Sequence, residues 1–353
     1  MKKYFVTLFL SVFCFVVQVS AQSSVIATLF HDGDIKTFYG TGALRSAHAA
    51  AVHGDVITLS SGSFTATNIT KAVTLRGAGM EYDSISVTEP TIISGDFSIQ
   101  IARDSTLQNN NLVMEGIYHN ADGIITVNGS LKNPQFVKCR LYSIKCNTGS
   151  GTLGYIYYAN FINCVIANNV YYYLNSSGTF VNCYVSDVDY YSGTSNTNNS
   201  CEFQNCVIKD DFISDIKNSV FRNCFLYASG NYTGENNLNT TSSAYNCVGW
   251  AANSDKIFAK QSNTTNTQAS SFSDVFKTWT GSSLANFKTE RLELTDAAKT
   301  KYLGSDGTQI GIYGGSIPFD PRPSNPQITK LNVASKSTAD GKLSVDIEVK
   351  AAE

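Results

Sequence analysis

Through the middle of the chain, apolar and polar positions alternate with a period of two inside a longer repeat of about 22 residues. The unit reads Phe136-Val137-Lys138-Cys139, Phe161-Ile162-Asn163-Cys164, Phe180-Val181-Asn182-Cys183, Phe203-Gln204-Asn205-Cys206, Phe221-Arg222-Asn223-Cys224 and finally Tyr245-Asn246-Cys247. Successive cysteines are 25, 19, 23, 18 and 23 residues apart. Two places after the first five cysteines stand Leu141, Ile166, Val185, Ile208 and Leu226. The residue between varies: Arg140, Val165, Tyr184, Val207, Phe225. Inward, outward, inward is the alternation of a half-buried strand, and no helical period runs through the repeats.

The asparagine before each cysteine tolerates a left-handed backbone, and its amide can bond neighbouring backbone groups. One such turn per unit bends a short strand into the next, and stacked units of this length form a solenoid. The leucine spacing of leucine-rich repeats is absent. These motifs resemble the right-handed parallel β-helix of the pectate lyase-like superfamily, over most of residues 40–316. The resemblance implies a ladder of Asn163, Asn182, Asn205, Asn223 and Asn246, with Phe and Cys columns beside it. Lys138 departs from that pattern, so the ladder is expected to begin one coil later. The resemblance speaks to fold; lyases, hydrolases, adhesins and inert scaffolds all share it.

Taken in order, residues 1–21 read as a secretory signal peptide: Lys2 and Lys3, an apolar core, then Val19-Ser20-Ala21. Residues 22–316 form the expected all-β solenoid domain. It opens with an amphipathic helix over residues 41–54 that caps the first coil, Leu44, Ala47 and Ala51 facing in and His48 elsewhere. A short helix is expected from Asp296 to Leu303, with Thr295 at its N-cap. A last strand is expected over residues 310–315. Residues 317–327 are a Pro-rich linker, and residues 328–353 hold a C-terminal β-hairpin. Only 15% of residues are charged and the net charge is −2, which disfavours nucleic acid as a partner. No segment after residue 21 is apolar enough to span a membrane. The chain is therefore expected to be exported, to the periplasm, the cell surface or the medium.

Candidate chemistry is sparse. Six cysteines share one column, which suits buried free thiols better than disulfides, and no zinc spacing occurs. Counting four residues past the repeat cysteines gives Ser143, Asn168, Asp187, Asp210 and Ala228, so Asp187 and Asp210 should be neighbours. Oxygen ligands at that spacing leave Ca²⁺ open as a ligand, against a solvated turn, but no metal or other cofactor is required. Asp210-Asp211 resembles the paired aspartates of polygalacturonases, yet the downstream Gly-His-Gly is missing and every histidine precedes Asp210. Among 19 Tyr, Tyr171 and Tyr190 stand seven places past Cys164 and Cys183, followed by Tyr172 and Tyr191. Facing outward they form an aromatic strip for sugar rings or a protein; facing inward they are core. The expected ligand-binding residues are Tyr171, Tyr172, Tyr190, Tyr191, Asp187 and Asp210, with no catalytic set. The expected function is that of a non-catalytic scaffold binding a polysaccharide or a cell-surface protein. The alternative is a lyase or glycoside hydrolase acting on acidic polysaccharide.

Overall fold

Each Phe-x-Asn-Cys unit bends the chain once, and the bends stack into a parallel β-helix. The computed structural model describes residues 25–83, 88–102, 111–120, 122–149, 152–172, 176–190, 199–211, 213–230, 236–253, 256–282, 289–322, 327–334, 336–338 and 340–350. The signal peptide read at residues 1–21, Tyr191 and the side chain of Tyr190 lie outside them. One sheet of eleven strands includes Val56–Leu59, Thr74–Arg76, Val113–Glu115, Gln135–Val137, Ala159–Ile162, Ser177–Val181, Ser200–Gln204, Val220–Arg222 and Ser243–Tyr245, all parallel. A second sheet of twelve strands faces it, from Gly62–Thr65 through Arg140–Cys146, Val165–Tyr172 and Tyr184–Tyr190 to Thr267–Gln268.

The residue between the sheets is left-handed in every repeat. Lys138, Asn163, Asn182, Asn205, Asn223 and Asn246 all have φ between 51° and 55°. Lys138 thus makes the same bend, one coil earlier than the asparagine pattern begins. Inside, Phe136, Phe161, Phe180, Phe203 and Phe221 stack with centroid separations of 4.8, 4.6, 4.8 and 4.9 Å. That is the strand spacing itself, so parallel register turns equivalent residues into columns.

The cysteine column has a hydrogen-bonding reason. Cys164 N–H donates to Cys183 Sγ at 3.3 Å, and Cys183 N–H to Cys206 Sγ at 3.4 Å. The thiol of Cys183 in turn lies 3.3 Å from the carbonyl oxygens of Phe161 and Val181. A left-handed bend interrupts the regular ladder, and a small buried side chain that both accepts and donates serves the freed backbone groups. All eight described cysteines are free and buried. Burial raises the Cys139 thiol well above its ordinary value, which keeps it protonated and inert.

The asparagines do not form the expected amide ladder. Asn182 Nδ2 donates to the carbonyls of Ile312 and Gly314, both at 2.7 Å, and Asn223 Oδ1 accepts from Ser305 N–H at 3.0 Å. Gly311 N–H also donates to the Asn223 carbonyl. Residues 302–315 therefore lie along the bends, and the run expected as a last strand is instead an irregular strap with Gly311 at φ 77°.

That strap belongs to a second core outside the solenoid. The outward row Val165, Tyr184, Val207, Phe225 and Val248 is covered by Val275, Phe276, Trp279, Leu294, Ile310, Ile312 and Phe319. Trp279 is 1% exposed and meets Phe276 edge-on at 4.9 Å. The short helix Asp296–Lys301 anchors this layer, with Thr295 Oγ1 accepting from Ala298 N–H as expected of its N-cap. Arg140, in the same outward row, is capped by Glu81 in an ion pair.

At the N-terminal end, the helix Ala43–Ala50 buries Ala43, Leu44 and Ala47, and His48 with them. His48 is neutral in place: Thr70 N–H donates to its Nε2 at 3.2 Å, and burial lowers its pKa to about 4. An antiparallel hairpin, Ile26–His31 with Asp34–Tyr39, completes the cap by pairing with Val56–Leu59. At the other terminus Gln327–Val333 and Val345–Lys350 form a two-stranded antiparallel hairpin.

Three outcomes follow from these contacts. Asn182→Gly keeps the left-handed bend but strands two carbonyls, and should lower stability by about 1–3 kcal/mol. Asn246→Gly removes no comparable bond and should leave the urea midpoint near that of the parent. Under denaturant without reductant, a thiol titration should find the eight cysteines after residue 21 reactive; protection of half of them would contradict a free-thiol column.

Candidate functional site

Within the second sheet, three strands run on past a corner into a further flank. Ile124–Val127 pairs with the end of Arg140–Cys146, which pairs with Val165–Tyr172, which pairs with Tyr184–Tyr190. Register shifts between Leu141 and Ser143, and between Ile166 and Asn169, mark β-bulges at this corner. Outward positions then form two rows. One holds Ser143, Asn169 and Asp187; the other holds Thr126, Lys145, Tyr171 and Asp189.

The bulge corrects the counting from the cysteines. Equal offsets place Tyr171 beside Tyr190 and Asn168 beside Asp187. The extra residue in Val165–Tyr172 instead sets Tyr171 opposite Asp189, Tyr172 opposite Tyr190, and Asn169 opposite Asp187. Tyr172 is fully buried in the solenoid, so it packs in the core and presents no ring to solvent. Tyr171 is half-buried and outward. Tyr184 pairs with Val207 and Val185 with Ile208, and this ladder ends there, short of Asp187 and Asp210. Asp210 is buried, and its Oδ2 accepts from Val188 N–H at 3.1 Å. It fastens one coil to the next.

A groove of about 400 Å³ opens on this flank, lined by Thr126, Lys145, Asn147, Asn169, Tyr171 and Asp189 among others. Asn169 Nδ2 donates to Asp189 Oδ2 at 3.1 Å, which fixes both side chains. Lys145, Thr126 and Asn147 were not singled out from the sequence. The signal was present in the alternation Ile144-Lys145-Cys146, but only the bulge tells which repeat positions it aligns with.

Beside the groove the carboxylates crowd. Asp187 has its pKa raised to about 6, chiefly by burial, then by Asp211 and Asp189, with Lys209 opposing. Its Oδ1 is buried and has no hydrogen-bond partner among the described residues. Lys209 Nζ lies 3.7 Å from Asp211 Oδ1 and is only 16% exposed, so its charge is held within the cluster. Among the described residues no three His, Cys, Asp or Glu side chains converge as a metal site. The flank offers an aromatic face, an amine, amides, hydroxyls and one carboxylate to one small groove. That set suits a polyhydroxylated ligand.

The chain matches no protein-family model, no curated protein and no solved structure.

The Asp187 environment gives a pH signature. Its folded pKa of about 6 stands above the ordinary 3.8, so between those values the folded protein holds a proton that the unfolded chain has released. This contribution is fully present below about pH 4 and is lost as pH rises through 6. Asp187→Asn should remove the loss and stabilise the protein at pH 7 by about 1–2 kcal/mol. Urea midpoints at pH 4 and pH 7 check this; an unchanged midpoint at pH 7 would place Asp187 in a well-solvated site.

Proposed function

We propose that this chain is an exported β-helix of the pectate lyase-like kind whose role is to bind polysaccharide at the cell envelope. The binding face is the flank at Tyr171. The observation that carries the reading is the groove itself, where the Tyr171 ring stands among Lys145, Asn169, Asp189 and Thr126. An aromatic face receives the apolar side of a sugar ring while amide, amine and carboxylate groups take its hydroxyls. Asp210 and Tyr172 support the face from within the fold and do not touch the ligand.

A second reading rests on Asp187. A carboxyl with a pKa near 6 is suited to general-acid chemistry, and Asp189 and Asp211 supply further carboxylates nearby. In that reading the bound polysaccharide is cleaved.

Tyr171→Ala tests both. Affinity electrophoresis through gels cast with soluble polysaccharides should show the parent retarded and the variant weakened by about three- to tenfold, the loss of one stacking contact. The melting temperature should be unchanged, because the ring is outward. Retardation that survives Tyr171→Ala would remove this flank as the binding face. New reducing ends released by the parent and not by Asp187→Asn would favour the catalytic reading.

A further inference from the structure

A second groove lies on another face of the solenoid, at the corner that leads into the eleven-stranded sheet. It measures about 620 Å³ and is lined by Tyr157, Tyr158, Asn160, Thr179, Glu202 and Asn218 among others. It shares no lining residue with the groove at Tyr171.

The backbone at this corner is unusual in one place. Asn133, Tyr158 and Asn218 occupy the bend with φ of 49°, 55° and 51°. Asparagine tolerates that conformation; tyrosine, with its bulky side chain, rarely adopts it. The strain is not offset by packing, because Tyr158 is 69% exposed. Ser177 Oγ holds the bend by accepting from Tyr158 N–H at 3.0 Å. A strained, well-fastened residue that presents a large ring to solvent is a feature found at ligand sites.

Its neighbours extend the aromatic surface. In the strand Gly154–Tyr157, Tyr155 and Tyr157 project outward with near-parallel rings 6.1 Å apart. Along the sheet Asn160, Thr179 and Glu202 stand in register on consecutive coils, each with an outward polar side chain. From Asn133 to Asn218 the groove crosses four coil steps, roughly 19 Å at the strand spacing. That length accommodates several sugar rings.

We propose that this groove is a second carbohydrate-binding site, with Tyr158 as its stacking platform, and that its ligand is a neutral polysaccharide. Neutrality follows from charge. Glu202 is the one residue of formal charge among the described lining residues, and it lies 3.7 Å from Arg222. No cation stands among the described lining residues to hold a uronate or sulfate, and the carboxylate repels one. Amides and hydroxyls of Asn160, Thr179 and Ser200 match the hydroxyls of an uncharged chain. The proposal does not depend on the groove at Tyr171.

The test is affinity electrophoresis of the full chain through gels containing a mixed-linkage β-glucan, a xylan or a galactomannan. The parent should be retarded by at least one. Tyr158→Asn should weaken that retardation by about three- to tenfold while melting no lower than the parent, since asparagine suits the left-handed bend. Tyr158→Phe should bind like the parent, and Tyr171→Ala should leave this binding in place. Binding unchanged in Tyr158→Asn overturns the proposal, as does a parent retarded by none of the three gels. Loss in Tyr171→Ala with none in Tyr158→Asn would leave the flank reading standing and this one refuted.

Discussion

The left-handed residue at the bend between the two large sheets is the constraint on which the rest depends. It sets one sharp corner per coil, at φ near 52° from Lys138 to Asn246, and so holds the following strands in parallel register. Parallel register makes columns, and columns decide residue choice. A phenylalanine stacks on the phenylalanine of the next coil, and the amide of each bend donates to the thiol of the next. Non-glycine residues can hold this conformation only where their surroundings favour it, and here the surroundings are the equivalent turns above and below.

The same register explains why the C-terminal third is not simply more solenoid. The position after each cysteine points out of the coil, and in Val165, Tyr184, Val207, Phe225 and Val248 it is apolar. A row of that kind, several coils long, is too large an apolar surface to leave in water. Side chains from residues 269–282 and 289–319 cover it, with Trp279 and Phe276 as the central ones. The bend asparagines then bond this covering layer, as Asn182 does through Ile312 and Gly314. One consequence reaches the candidate sites: this flank is closed, and the two grooves lie on faces that the strap does not cross.

The fold was legible in the sequence because its determinants are local and repeated. The Phe-x-Asn-Cys phrase specifies strand, bend and strand within a few residues, and repetition supplies the stacking. The N-cap at Thr295 was legible for the same reason. What was not legible depends on partners far along the chain. His48 lies off the apolar face of its helix by periodicity, yet it is buried because Thr70 donates to it from the next coil. The asparagine column reads as a ladder until the strap at 302–315 arrives to take its bonds. The candidate site suffered most from a single inserted residue. A bulge in Val165–Tyr172 moves Tyr171 from Tyr190 to Asp189, and no propensity in Ala167-Asn168-Asn169 announces it. Tyr158 left no periodic trace, because its distinction is a backbone angle.

These bulges and corners also separate stability from recognition. In the regular part of each coil the inward positions form columns, and the outward row from Val165 to Val248 is committed to the covering layer. A residue there cannot change without disturbing its equivalents. At the corners the spacing varies from 18 to 25 residues, so each coil can project its own side chains without breaking the stack. Lys145, Tyr171 and Asp189 stand just beyond one such corner, and Tyr158 stands at another. A solenoid built this way can vary its outer grooves coil by coil while its columns stay fixed, because the two sets of residues occupy different positions of the same repeat.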